Sequence, residues 1–278
     1  MEQVDPMRRM TLSFVAVAGL LPVLPAAASD KPVTGLTPAA ALERLKDGNE
    51  RFVSDVTADL HIDAARRAEL LAGQAPYALV LSCADSRVPP EIVFNTGLGE
   101  LFVVRAAGEV LDRSVLASLE YGAEHLKSPL LVVMGHEFCG AVKAAKERKP
   151  GVSMGPNLDF LLKQIQPAVA RADKALFDEP LRAAVLANVE LIVADLQVQS
   201  PILHTLVERG KLQIVGAFYE LSTGRVSFST VVAGRTAPGL TRRAPASDGH
   251  EPPPHVVTVR PQPVAQAAAV PGPHPNDH

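Results

Sequence analysis

The chain holds two cysteines, and each closes an apolar run. Cys83 follows Tyr77-Ala78-Leu79-Val80-Leu81 and opens Cys83-Ala84-Asp85-Ser86-Arg87. Cys139 follows Leu130-Leu131-Val132-Val133-Met134 and ends His136-Glu137-Phe138-Cys139. Two thiolates and one imidazole form a three-ligand zinc set, the count that leaves a fourth position for water or substrate in a catalytic site. Beside such a set Asp85 has two uses: it closes the fourth position as a ligand, or it pairs with Arg87 and leaves that position open. The planar guanidinium of Arg87 matches a carboxylate and keeps it ionised. Alternate residues of an extended segment point one way, so Cys83, Asp85 and Arg87 are expected to face one pocket. A disulfide is the competing reading of two cysteines, and a pair of small buried hydrophobes is another. Either leaves Asp85, Arg87 and His136 without a role. His125 and His204 fall inside predicted helices with no neighbouring ligands and are read as structural.

Bringing distant ligands together needs a sheet. Residues 77–82, 101–105 and 130–134 read as continuous apolar strands of the kind buried on both faces. Residues 212–219 read as a fourth strand, which Ser222-Thr223-Gly224 turns into an antiparallel hairpin over 225–229. Helical patterns cover 38–53, 63–71, 114–126, a segment starting near Cys139, 157–172 and 181–208. The fold class is therefore α/β, with a mostly parallel central sheet of about five strands, an antiparallel edge hairpin and flanking helices. All strands of a parallel sheet end on one edge, outside which ligands bind. Cys83, after the first strand, and His136, after the third, are expected on that edge. Cys139 is expected in the first turn of the next helix, where unpaired N–H groups and the helix dipole favour a thiolate.

These elements build one domain over residues 29–235. Residues 1–28 read as a signal peptide: Arg8-Arg9, an apolar stretch over 12–24, then Ala26-Ala27-Ala28 before polar Ser29-Asp30. The stretch is short for a membrane span and holds Pro22. Release without stable membrane insertion is expected, with the periplasm as location and the arginine pair hinting at the twin-arginine route. Residues 236–278, with Pro252-Pro253-Pro254 and Pro271-Gly272-Pro273-His274-Pro275, read as a Pro/Ala-rich disordered tail. A net charge of −3 without a basic run argues against a nucleic-acid partner.

The two cysteine motifs, in this order and setting, resemble those of the β-class carbonic anhydrases. The likeness rests on Cys83-Ala84-Asp85-Ser86-Arg87-Val88-Pro89-Pro90-Glu91 and Gly135-His136-Glu137-Phe138-Cys139-Gly140-Ala141. Leu101-Phe102-Val103-Val104-Arg105 and Ser118-Leu119-Glu120-Tyr121 support it, and it runs from Gly48-Asn49-Glu50-Arg51-Phe52 to Val215-Gly216-Ala217-Phe218-Tyr219. It implies a β-carbonic-anhydrase-like fold and reversible hydration of carbon dioxide to bicarbonate and a proton. The nucleophile implied is a metal-bound hydroxide on one Zn2+ per subunit, held by Cys83, His136 and Cys139. Zinc can lower the pKa of its water from 15.7 to about 7. The resemblance makes Asp85 and Arg87 the gating pair, with Asp85 a possible fourth ligand in a closed state.

By the same resemblance Gln74 hydrogen-bonds substrate, and Phe102 and Tyr121 line the pocket. The family builds that pocket at a dimer interface, so a homodimer or higher homo-oligomer is implied. Gln74 and the lack of tryptophan favour the subtype with an open zinc position. Ala106 and Glu109 stand where the family commonly has asparagine, and Glu137 where it often has serine or threonine. Two other functions use the same residues. One is hydrolysis of carbonyl sulfide or carbon disulfide on this scaffold. The other is a non-catalytic module, stabilised by zinc or sensing bicarbonate.

Overall fold

A computed structural model describes residues 34–56, 60–174 and 179–229. Every described residue lies in the unit Met1–Ala237. The signal-peptide and tail expectations fall outside the described residues.

Five strands form one sheet: β1 (Ala78–Ser82), β2 (Leu101–Arg105), β3 (Leu130–His136), β4 (Gln213–Tyr219) and β5 (Val226–Phe228), in the order β2-β1-β3-β4-β5. The first four are parallel and β5 runs antiparallel to β4, as the alternation of apolar runs and helical patterns implies. The helices among the described residues are α1 (Pro38–Val53), α2 (Ala64–Glu69), α3 (Pro90–Val93), α4 (Arg113–Glu120), α5 (Gly140–Glu147), α6 (Pro156–Asp173), α7 (Pro180–Gln199) and α8 (Pro201–Glu208).

β1 and β3 are buried along their whole length, and the pleat sends alternate side chains to opposite faces. Ala78, Val80, Leu130, Val132 and Met134 pack with Ala41 and Leu45 of α1 and with Val93 and Phe94. Leu79, Leu81, Leu131 and Val133 pack with Val115 and Leu119 of α4, Val189 and Ile192 of α7, and Leu203 of α8. Burying each such leucine or valine contributes about 1.5–3 kcal/mol, so two covered faces hold the middle strands, and with them the edge that carries the ligands.

α1 starts where the Thr37 side chain accepts the Ala40 N–H at 3.2 Å and Pro38 fills the first turn. It buries Ala41, Leu45, Gly48 and Asn49, a helical stripe. Asn49 donates to Val93 O at 3.0 Å and Gly224 O at 2.9 Å, and accepts the Val226 N–H at 2.8 Å. One amide thus joins α1, α3 and the β4–β5 hairpin.

Three boundaries differ from the sequence expectation. The helix expected over 181–208 is two helices, because Pro201 drives Ser200 out of the helical region (φ −121°, ψ 102°). Ser200 then caps α8, its Oγ accepting the Leu203 N–H at 3.1 Å. The helix expected over 114–126 widens into a π-turn at Tyr121–His125. β3 runs two residues past 134, so His136 is the last residue of the strand rather than the first after it. No described helix is long and apolar enough to cross a membrane.

A Cβ on Gly48 would lie 2.0 Å from the Phe94 carbonyl oxygen. Gly48→Ala is expected to lower the unfolding free energy by about 2–3 kcal/mol, the upper part of the usual overpacking range, since the obstacle is backbone. Urea unfolding measures it, and a loss under about 1 kcal/mol would show that α1 can shift away from α3 at little cost.

Candidate metal centre

Cys83 is the first residue past β1, His136 the last of β3, and Cys139 directly precedes α5. The expected single sheet edge therefore brings together residues far apart in the chain. Their ligand atoms all lie within 4.8 Å of one another, and all three residues are buried. The two sulfurs are 4.0 Å apart and both thiols are free, so the disulfide reading does not hold. The turn that returns Cys139 toward His136 puts Phe138 at φ 55°, a left-handed conformation that a bulky residue adopts at a cost of about 1–2 kcal/mol.

The imidazole supplies the test of fit. His136 Nδ1 lies 2.8 Å from the Glu137 carbonyl oxygen; only an N–H can satisfy that oxygen, so Nδ1 carries the proton and Nε2 a lone pair. Nε2 is buried with no hydrogen-bond partner. Leaving such an atom unpaired costs about 1–3 kcal/mol, and a cation shared with the two sulfurs removes that cost. The residues fit a divalent metal.

The sulfurs divide one proton between them. The Cys139 thiol hydrogen bond is the largest influence bringing Cys83 down against its burial, with the His136 side chain and then the Gly108 amide adding less. Cys139 is pushed up, first by giving that hydrogen bond and then by burial. The two behave as a pair that loses one proton readily and the second with difficulty. Cys139 occupies the N-cap of α5, not its first turn, and no capping hydrogen bond closes on its sulfur. The helix therefore helps it less than the sequence suggests, the Val142 amide being a minor opposing influence.

Asp85 and Arg87 do pair, through a turn and not through an extended segment. The Val88 N–H donates to Asp85 O at 3.1 Å, and the Arg87 N–H donates to Asp85 Oδ1 at 3.0 Å. Arg87 Nε then donates to Oδ1 at 2.9 Å and Nη2 to Oδ2 at 2.8 Å. These Arg87 hydrogen bonds hold the Asp85 carboxyl well below the usual carboxylate range. Asp85 Oδ2 is 4.0 Å from His136 Nε2, at the border of the metal set.

Sequence reasoning gave no role to five residues at or around this site. Arg105 donates from Nε to Cys83 O at 2.9 Å and from Nη2 to Asp85 O at 2.5 Å, pinning the backbone of the loop. Its register opposite Ser82 at the ends of parallel strands was the available signal. The Gly108 amide donates to Cys83 Sγ at 3.4 Å, and Asn188 holds the Gly108 carbonyl at 2.8 Å. Glu109 is fully buried, and burial pushes its carboxyl well up, with Cys83 adding to the effect. Glu137, in place of the family's hydroxyl, accepts the Ser222 N–H at 3.1 Å and so ties the metal loop to the hairpin.

The three substrate candidates sit elsewhere in the chain. Gln74 is exposed before β1, whereas Cys83 follows it; the strand between spans about 16 Å. Phe102 is in register with Leu79, four residues short of Cys83, and its ring centroid lies 6.2 Å from that of Tyr121. Phe102 thus lies toward the amino end of the outer strand, and Tyr121, in the π-turn after α4, packs beside it.

A family model described as carbonic anhydrase matches residues 78–226, more than half of the chain. This chain belongs to the carbonic anhydrase family. It is 40% identical over 192 residues to carbonic anhydrase 2 of Mycobacterium tuberculosis, covering 68% of this chain and 91% of that one. It is 41% identical over 190 residues to a carbonic anhydrase of Mycolicibacterium smegmatis, covering 68% and 92%. Among solved structures, a Coccomyxa β-carbonic anhydrase superposes with a TM-score of 0.54 at 30% identity, covering 67% of this chain and 85% of that one. The β class of the family is the one whose parallel sheet this chain shares.

Metal binding to this carbonic anhydrase must displace the proton that the thiol pair retains, since the hydrogen bond between them pushes Cys139 up as it brings Cys83 down. Affinity is therefore expected to rise about tenfold per pH unit between about pH 7 and 8.5, and to fall as pH drops. Chelator competition across that range measures the slope; a flat profile would mean that both thiols lose their protons without the metal.

Proposed function

We propose that this chain is a zinc-dependent carbonic anhydrase that catalyses the reversible hydration of carbon dioxide to bicarbonate and a proton, with one Zn2+ per subunit. The observation that carries this is the buried, unpartnered Nε2 of His136 facing two free buried thiols. A set of two sulfurs and one nitrogen suits zinc and disfavours the oxygen-seeking magnesium and calcium. Bound there, zinc supplies Lewis acidity that brings the pKa of a water toward neutrality.

The chain's own residues do the rest. Arg87 occupies both oxygens of Asp85 and keeps it ionised, which supports a fourth metal position left to water and not closed by the carboxylate. Asp85 is then an acceptor only. It takes a hydrogen bond from the attacking water, orients a lone pair toward carbon, and leaves the displaced proton to solvent buffer. Arg105 fixes the carbonyls of Cys83 and Asp85, so the aspartate keeps its aim while charge moves. Val110, Val142 and Val185 surround the cysteines with apolar surface, which suits an apolar gas and excludes competing water.

The active unit is a homodimer or larger homo-oligomer. β2 is the end strand, its residues are only half-buried, and Tyr121 beside it is 43% exposed. An open apolar edge of this kind invites pairing with a second copy. Such pairing would carry Gln74, Phe102 and Tyr121 to the partner's metal. Export to the periplasm, on the pattern of residues 1–28, belongs to the same reading.

Stopped-flow hydration by the zinc-loaded protein tests the assignment. Asp85→Asn is expected to cut turnover about 10²–10⁴-fold, the usual worth of a positioned proton-handling group, while zinc stays bound. Cys139→Ser should lose zinc and turnover together. Undiminished turnover in either variant would overturn these roles, and faster turnover of carbonyl sulfide than of carbon dioxide would move the enzyme to the sulfur-substrate reading.

A further inference from the structure

α7 buries apolar residues around most of its circumference, among them Ala184, Val185, Val189, Ile192 and Val193. One amide lies in that company: Asn188, 3% exposed. A polar side chain buried among apolar ones needs partners, and those of Asn188 are in one place. Its Nδ2 donates to Gly108 O at 2.8 Å and lies 3.5 Å from Glu109 Oε2.

The turn it grips is a strained one. Gly108 (φ 64°, ψ 27°) and Glu109 (φ 54°) are consecutive left-handed residues, and only the first is a residue that tolerates this freely. A Cβ on Gly108 would meet Ile165 Cδ1 at 2.7 Å, so the turn is also pressed against α6. Local hydrogen bonding offers little to keep it: the Glu109 N–H reaches Ala106 O at 3.0 Å, and Glu109 Oε1 is buried without a partner. On the other side of Gly108, its own N–H points at Cys83 Sγ, 3.4 Å away.

We propose that Asn188 is a positioning residue for the sulfur of Cys83. By holding the Gly108 carbonyl it fixes the strained Ala107–Glu109 turn, aims the Gly108 amide at that sulfur, and so sets the donor strength and place of the thiolate toward the metal. The inference rests on the reading of Cys83 as a metal ligand. Groups that orient ligands from outside the coordination sphere commonly change metal affinity 10–100-fold. Removing an N–H···S hydrogen bond also makes a thiolate more electron-rich, which moves its sulfur-to-metal charge-transfer band to lower energy.

The test compares Asn188→Leu, close in size but without donors, with Ile192→Ala, which opens a cavity about one turn further along α7 and leaves the turn untouched. Zinc affinity is read by chelator competition, and the charge-transfer band by absorption of the Co2+-loaded proteins. Asn188→Leu is expected to bind zinc about 10–100-fold more weakly and to shift the band to the red, while Ile192→Ala keeps wild-type affinity and band. Wild-type values in Asn188→Leu, or equal changes in both variants, would overturn the proposal. If Asn188→Leu does not fold, Asn188→Ser, too short to reach the Gly108 carbonyl, carries the same comparison. If the wild type itself binds no metal, the reading of the metal centre fails first, and the role of Asn188 falls with it.

Discussion

Three donor atoms, one nitrogen and two sulfurs, meet within 4.8 Å of one another on three buried residues. Gathering them without a cation leaves an unpaired imidazole nitrogen and a proton trapped between two thiols, both unfavourable in a buried site. Much of the surrounding structure serves to hold that arrangement. The covered sheet fixes where β1 and β3 end, the Glu137 carbonyl fixes the proton on His136 Nδ1, and the left-handed Phe138 folds Cys139 back toward its partners. The cost of gathering the donors is the measure of how strongly the metal is held.

Electrostatics around the centre keep that cation compatible with a crowd of acids. Two thiolates balance a divalent charge, and any further negative charge nearby must be neutralised. Asp85 is answered by Arg87, whose guanidinium engages both carboxyl oxygens. Glu109 has no counter-charge; burial pushes its carboxyl well up, toward the neutral form. The carboxylate at the border of the site, Asp85, is therefore held at a fixed angle to it.

A single copy of the fold completes the metal set and leaves the substrate side open. Gln74 and Phe102 lie toward the amino ends of β1 and β2, with Tyr121 packed beside Phe102, whereas every ligand lies at the carboxyl ends. Strand length separates Gln74 and Phe102 from the ligands. β2, half-buried, is the end strand of the sheet.

Much of this was legible in the residues. The apolar runs ending at Cys83 and near His136 specify strands buried on both faces, and their alternation with helical patterns specifies a parallel sheet, so one sheet edge for both ligands follows from topology. Pairing of Asp85 with Arg87 follows from their chemistry, although a turn and not an extended segment achieves it. The break at Ser200 was masked because the segments on either side are both apolar and helical, and only the φ restriction ahead of Pro201 marks it. Arg105, Gly108 and Asn188 could not be assigned, since hydrogen bonds between a strand end, a left-handed turn and a distant helix have no periodicity to betray them. By itself, then, the chain determined which atoms could hold a metal and which carboxylate stands beside them, because donor type and motif spacing are local. Tertiary packing decided the tautomer of His136, the sharing of a proton between the thiols and the separation of substrate groups from metal, because each depends on distances between elements that no local pattern encodes.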